Sequence, residues 1–112
     1  MATNREIAQQ IIKAYVRSRQ SSDSVFLSYG QMSGLIDRPG QQRLLGAPLD
    51  LVRDICHDMG IPDIATVVVG ADSMKDGTVK PAEAALTKHG GWPGLRKEQA
   101  RVIAFDWATY EL

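Results

Sequence analysis

A proline and a glycine at positions 39 and 40 divide an otherwise helical stretch, Tyr29 to Leu49, and that break constrains what the chain can build. Before it, Ser28 suits the N-cap of a helix, and Met32, Leu35 and Ile36 recur at i, i+3 and i+4 as one apolar face. Asp37-Arg38-Pro39-Gly40 interrupts the period. Proline fixes φ and lacks an N–H, so it fits the first turn of a new helix and not the interior of the old one. The spacing predicts a second helix starting near Pro39, with Leu44, Leu45 and Leu49 restoring the apolar face. Two helices joined by a short polar corner make a helix-turn-helix, the motif that sets a helix in the DNA major groove.

The rest of the pattern is mixed. Residues 4–20 read as a first helix, capped by Asn4, with Ile7, Ile11, Ile12, Tyr15 and Val16 as its stripe. Val25-Phe26-Leu27 reads as a short extended piece. The helix after Pro39 is expected to run to a cap at Gly60, either bent at Ala47-Pro48 or restarted at Pro48. Ile64 to Val69, rich in β-branched residues, reads as a buried strand. Gly70 to Gly77 reads as a turn which, with Val79, would form a wing. A short helix over 81–89, a turn at Trp92-Pro93-Gly94, a helix over 95–106 and an extended tail over 107–112 complete the chain. The fold class expected is α+β, mostly helical: a winged-helix-like helix-turn-helix domain with a C-terminal helical extension. One domain is expected over 1–112, with a core in 1–79 and the extension in 80–112.

The tyrosine and the corner carry a resemblance. Tyr29-Gly30, Ser33, Pro39, Arg43, Gly46 and Leu49 agree in type and spacing with the helix-turn-helix of the alkylguanine-DNA alkyltransferases and alkyltransferase-like proteins. The resemblance covers about residues 25–69. In that family the tyrosine pushes on the phosphate of the target nucleotide, and the arginine enters the duplex in place of the flipped base. The resemblance puts those roles on Tyr29 and Arg43. The transferases close this domain with Pro-Cys-His-Arg, whose cysteine takes the alkyl group, and the alkyltransferase-like proteins replace that cysteine. Here Ile61-Pro62-Asp63-Ile64-Ala65 puts Asp63 at its place, and no His-Arg pair follows. The resemblance thus implies DNA binding without alkyl transfer.

The formal net charge is zero, against the basic balance that phosphate neutralisation favours. Only residues 1–27 are net positive, with Arg5, Lys13, Arg17 and Arg19 against Glu6 and Asp23. A patch of Arg17, Arg19, Arg38 and Arg43 is compatible with a neutral total. No run of 18 apolar residues marks a membrane span. The start MATNREIAQQ lacks the apolar core of a signal peptide, and the one cysteine, Cys56, cannot close an internal disulfide; together these favour the cytoplasm.

The expected DNA contacts are Tyr29, Arg38, Gln41, Gln42 and Arg43, since arginine meets phosphate or guanine and glutamine can pair with adenine. Arg38 has a rival role as partner of Asp37, and Arg43 as partner of Asp37 or Asp50. Cys56-His57-Asp58 does not converge on a helix, and two histidines with one cysteine lack metal-ligand spacing. No phosphate-binding loop or nucleophile arrangement is present, so no enzyme, cofactor or metal is expected. The function expected is a non-enzymatic DNA-binding protein, dimerising through its C-terminal aromatics if it acts as a regulator. The alternative is a small bacterial or phage accessory protein that binds a larger nucleic-acid-processing or defence protein, with the helix-turn-helix as scaffold. That partner surface would use Asp50 and Asp54, which with Asp58 recur every four residues, or Trp92, Trp107 and Tyr110; the C-terminal segment is otherwise expected to pack, with Trp92, Leu95, Val102, Ile103, Phe105 and Trp107 closing a core that the small domain cannot close alone.

Overall fold

A computed structural model describes residues 2–111. The described chain is mostly helical, with one small parallel sheet: α1 (Asn4–Ser21), β1 (Leu27–Ser28), α2 (Tyr29–Leu35), a 3-10 turn (Gln42–Leu45), α3 (Gly46–Met59), a second 3-10 turn (Ile64–Val67), β2 (Val68–Val69), α4 (Ala71–Asp76), α5 (Glu83–Lys88) and α6 (Trp92–Ala104). No described helix is long and apolar enough to cross a membrane.

The long helix α1 packs along α3 and buries the expected stripe of Ile7, Ile11, Ile12, Tyr15 and Val16. Thr3, not Asn4, caps it: Glu6 N–H donates to Thr3 Oγ1 at 3.1 Å, and Thr3 N–H donates to Glu6 Oε1 at 3.1 Å. Ser28 caps α2 as expected, with Gln31 closing the reciprocal bond. The helix buries Met32 and Ser33, while Leu35 stays 50% exposed rather than joining the apolar face. It ends in a Schellman pair, Asp37 N–H to Gly34 O at 3.1 Å and Arg38 N–H to Ser33 O at 2.8 Å, with Asp37 left-handed at φ 62°.

The corner that follows is not the start of a helix. Gln41 N–H donates to Arg38 O at 3.1 Å, and Gly40 has φ 78°. Pro39 and Gly40 are the two central residues of a turn that needs proline first and a positive φ second. A glycine held there cannot begin an α-helix, so regular helix waits until Gly46, and Pro48 falls harmlessly in its first turn. The expected cap at Gly60 is present, with φ 72° and Ile61 N–H bonded to Cys56 O at 3.0 Å.

Ile64 to Val69 is buried as expected, but only Val68–Val69 is extended, paired in parallel with Leu27–Ser28. The first four residues are instead bent into a turn by Asp63. Its Oδ1 accepts from Ala65 N–H at 3.0 Å, and its carbonyl accepts from Thr66 Oγ1 at 2.7 Å. The wing expected at 70–79 is also absent from the described chain. Residues Ala71–Asp76 are helical, and the loop behind them is tied to α6: Gln99 Nε2 donates to Val79 O at 3.0 Å and Arg96 Nη2 to Thr78 O at 2.7 Å. Val79 sits at φ 41°, a strained conformation for a β-branched residue that those ties hold in place.

Trp92-Pro93-Gly94 is the first turn of α6 rather than a separate turn, with proline where a helix tolerates it. After α6 the chain folds back on α1. Gln20 Nε2 donates to Trp107 O at 3.1 Å and Tyr110 O at 3.0 Å. The tail is therefore a packed turn, and Leu112 lies outside the described residues. Val102 and Trp107 share one core with α1, α2 and α3, so the C-terminal extension closes the core of the N-terminal part.

Candidate functional site

The corner between α2 and α3 gathers most of the expected DNA contacts. Residues 39–44 are exposed ahead of α3, with Arg38 half-buried before them and the 3-10 turn packed against α2. Gln41 and Gln42 precede the regular helix instead of riding on it, because the Pro39–Gly40 turn displaces its start. Among the described residues, Arg43, Gln41 and Gln42 have no side-chain hydrogen bond, and Arg43 has no ion pair with Asp37 or Asp50. Arg38 makes no pair with Asp37 either; its Nε is buried without a partner. Leu44, next to Arg43, is 53% exposed.

Tyr29 opens α2 half-buried against the core, and that burial pushes its phenol pKa up. Its hydroxyl has no hydrogen bond among the described residues. Arg17 lies on a groove between α1 and the end of α2, with Lys13, Leu35 and Asp37. Arg19 leaves the expected basic patch: its Nη1 donates to Tyr15 OH at 3.2 Å. Tyr15 OH in turn donates to Val25 O at 2.8 Å.

The expected partner surface divides. Asp50, Asp54 and Asp58 are exposed on α3, and Asp54 meets Arg53 at 3.4 Å. Trp92 is 38% exposed, with Arg96 stacked 4.7 Å from its ring centroid. Trp107 is no surface residue. It is 2% exposed, it lies 5.4 Å from the Tyr15 ring and 4.5 Å from Phe105, and its Nε1–H donates to Val102 O at 2.8 Å. Tyr110 is partly buried against it, 6.2 Å between centroids. At 2% exposure the Trp107 indole offers no ring face to a partner, whereas Tyr110 keeps part of its ring at the surface.

Cys56 is buried on the α3 stripe. Burial pushes its thiol up to about 12, opposed by the Ile64 N–H and reinforced by the charges of Asp63 and Glu98. At neutral pH almost no thiolate exists in the folded state, so the folded protein should resist a disulfide reagent that labels the urea-unfolded chain at once. Rapid stoichiometric labelling without denaturant would contradict this placement.

A second constellation was invisible in the sequence. Asp63 is 4% exposed, and its Oδ2 lies 2.8 Å from His89 Nε2. Asp63 N–H donates to Glu98 Oε2 at 2.8 Å, and Arg101 Nη1 donates to Glu98 Oε1 at 2.8 Å. Arg53 and His57 of α3 complete a cleft of about 380 Å3. Asp63 and His89 stand 26 residues apart with no spacing signal between them, so periodicity has nothing to report. Among the described residues no three His, Cys, Asp or Glu side chains form a metal-holding group. Compared with family models, curated proteins and solved structures, the chain matches none.

Proposed function

We propose that this protein is a non-enzymatic DNA-binding protein that contacts duplex DNA through the corner between α2 and α3, in the manner of an alkyltransferase-like helix-turn-helix. The observation carrying this reading is Arg43 beside Leu44, both exposed in the corner, with the Arg43 side chain free of hydrogen bonds and ion pairs among the described residues. An unpaired arginine next to an exposed apolar side chain suits entry into a distorted base step, where the apolar group wedges and the cation meets phosphate or base edges. Gln41, Gln42 and Arg38 flank Arg43, Tyr29 offers a free hydroxyl, and Lys13 and Arg17 extend the basic surface. The acidic flank of α3 restricts contact to the corner, since Asp50, Asp54 and Asp58 would repel a phosphate backbone laid along the helix.

The test is fluorescence anisotropy with plain, mismatched and alkylguanine duplexes and a single strand, at low and near-physiological salt. Binding should weaken as salt rises, and Arg43→Ala should lose about 1–3 kcal/mol while Lys97→Ala, an exposed change on α6, loses little. Equal losses in the two variants, or no binding at low salt, would remove the proposal. A second reading is favoured by that same acidic flank: an accessory protein docking a basic partner on α3. It requires a complex that survives nuclease treatment and is broken by charge reversal at Asp54.

A further inference from the structure

We propose that the cleft between α3 and α6, floored by the Asp63–His89 pair, is a binding site for a small phosphate-bearing ligand. It lies near the opposite end of α3 from the corner: His57 is about 16 Å along the helix from Gly46. The inference is therefore independent of DNA binding.

The hydrogen-bond inventory sets the chemistry of the ligand. The cleft contains two carboxylates, and each of their four oxygens already accepts an intramolecular bond. Asp63 Oδ1 takes Ala65 N–H at 3.0 Å and Oδ2 takes the His89 ring at 2.8 Å. Glu98 Oε2 takes Asp63 N–H and Oε1 takes Arg101 Nη1, both at 2.8 Å. The donors are not used up in the same way. Arg101 spends one nitrogen on Glu98 and keeps its side chain 61% exposed. Arg53 has only the 3.4 Å contact with Asp54, on the solvent side of α3. The His57 ring has no partner among the described residues, and neither does the second ring nitrogen of His89. Two guanidinium forks and the N–H of the His57 ring face one space, with the carboxylates committed inward, and match a tetrahedral anion that accepts several N–H bonds.

The site is held in place from beneath. His89 Nε2 is pinned to a carboxylate whose own position is fixed by the Ala65 and Thr66 turn, so the ring presents Nδ1 in one orientation, as acceptor of a monoester P–OH when the imidazole is neutral and as donor to a phosphate oxygen when it is protonated. The His89 backbone is fixed as well: a Cβ at Gly94 would lie 1.7 Å from His89 O, so the first turn of α6 presses against it. The volume, about 380 Å3, exceeds a bare phosphate and suits a small phosphate monoester.

The experiment titrates inorganic phosphate, then glycerol phosphate, into the full chain at neutral pH. It follows the His57 and His89 ring signals, the Arg101 side-chain N–H and the backbone amides of Gly60, Ile61, Asp63 and Ile64 by NMR. Saturable shifts confined to these groups are expected, with the ester binding at least as well as the free ion. Arg101→Ala and Arg53→Ala should each weaken binding about tenfold, while Arg17→Ala on α1 leaves it unchanged. Both arginines are exposed enough to be replaced without unfolding, which the unchanged amide spectrum elsewhere would verify. Three results would overturn the proposal: no saturation at tens of millimolar phosphate, equal shifts at all surface cations, or unchanged affinity in the Arg53→Ala, Arg101→Ala double variant.

Discussion

Replacing Gly94 by alanine is expected to destabilise the protein by about 3 kcal/mol, although the residue lies in a helix where alanine ordinarily gains about 1 kcal/mol over glycine. A Cβ there would sit 1.7 Å from the oxygen of His89 and 2.9 Å from its carbonyl carbon. Those are backbone atoms, so no side-chain rotation relieves the contact. Either α6 or the 88–91 turn must move, and both carry the cleft: α6 holds Glu98, Gln99 and Arg101, and the turn holds His89. Gly34 is the internal comparison. It is in the last turn of α2 with nothing within 4 Å of its Cβ position, so Gly34→Ala should be neutral or stabilising. Urea unfolding followed by circular dichroism measures both. A Gly94→Ala protein as stable as the parent would mean that α6 does not approach His89 as described.

Trp107→Ala is the second large effect, about 3–5 kcal/mol of lost stability. The indole is 2% exposed, bracketed by Tyr15, Phe105 and Tyr110, and its N–H is satisfied by Val102 O at 2.8 Å. Truncation leaves a cavity under the second half of α1 and strips a partner from a buried carbonyl. The loss is a large fraction of the roughly 5–15 kcal/mol that a domain of this kind has in total, so a markedly lower melting temperature is expected. Trp92→Ala, which removes a 38% exposed ring stacked on Arg96, should cost well under half as much. Thermal melts of the two variants decide the matter, and similar midpoints would contradict the burial of Trp107. Any partner lost in a Trp107→Ala protein would then report unfolding and not a missing contact.

These two residues mark where reading the sequence succeeded and where it stopped. The apolar stripe of α1, the Ser28 cap and the Gly60 terminus were legible, because each depends on residues within about one or two helical turns, whereas the face expected after Pro39 holds only in part, since Leu44 and Met59 are 53% and 41% exposed. The break at Pro39–Gly40 was legible as a break, but its geometry was not. Proline is compatible with a helix start, and only the positive φ of Gly40 made it a turn. The β-branched run Ile64–Val69 announced burial correctly but extension only for Val68–Val69, since the Asp63 carboxylate and carbonyl captured Ile64–Val67 into a turn. The aromatics of the C-terminal segment advertised either packing or docking, and composition does not choose between them.

What the sequence determined by itself is thus a set of local features: the Ser28 start and the Gly60 stop, the apolar face of α1, and a corner rich in Arg and Gln. Those follow from backbone propensity, caps and hydrophobic period, all short-range. Tertiary structure alone decided that Trp107 closes the core, that the wing segment coils into α4, and that Asp63, His89 and Glu98 meet. Asp63 and Glu98 are 35 residues apart, and Gln99 reaches Thr66 across 33. Such pairs form when the packing of α6 against the 3-10 turn at Ile64–Val67 buries polar groups that must then find partners, a requirement set by desolvation and not by neighbours in the chain.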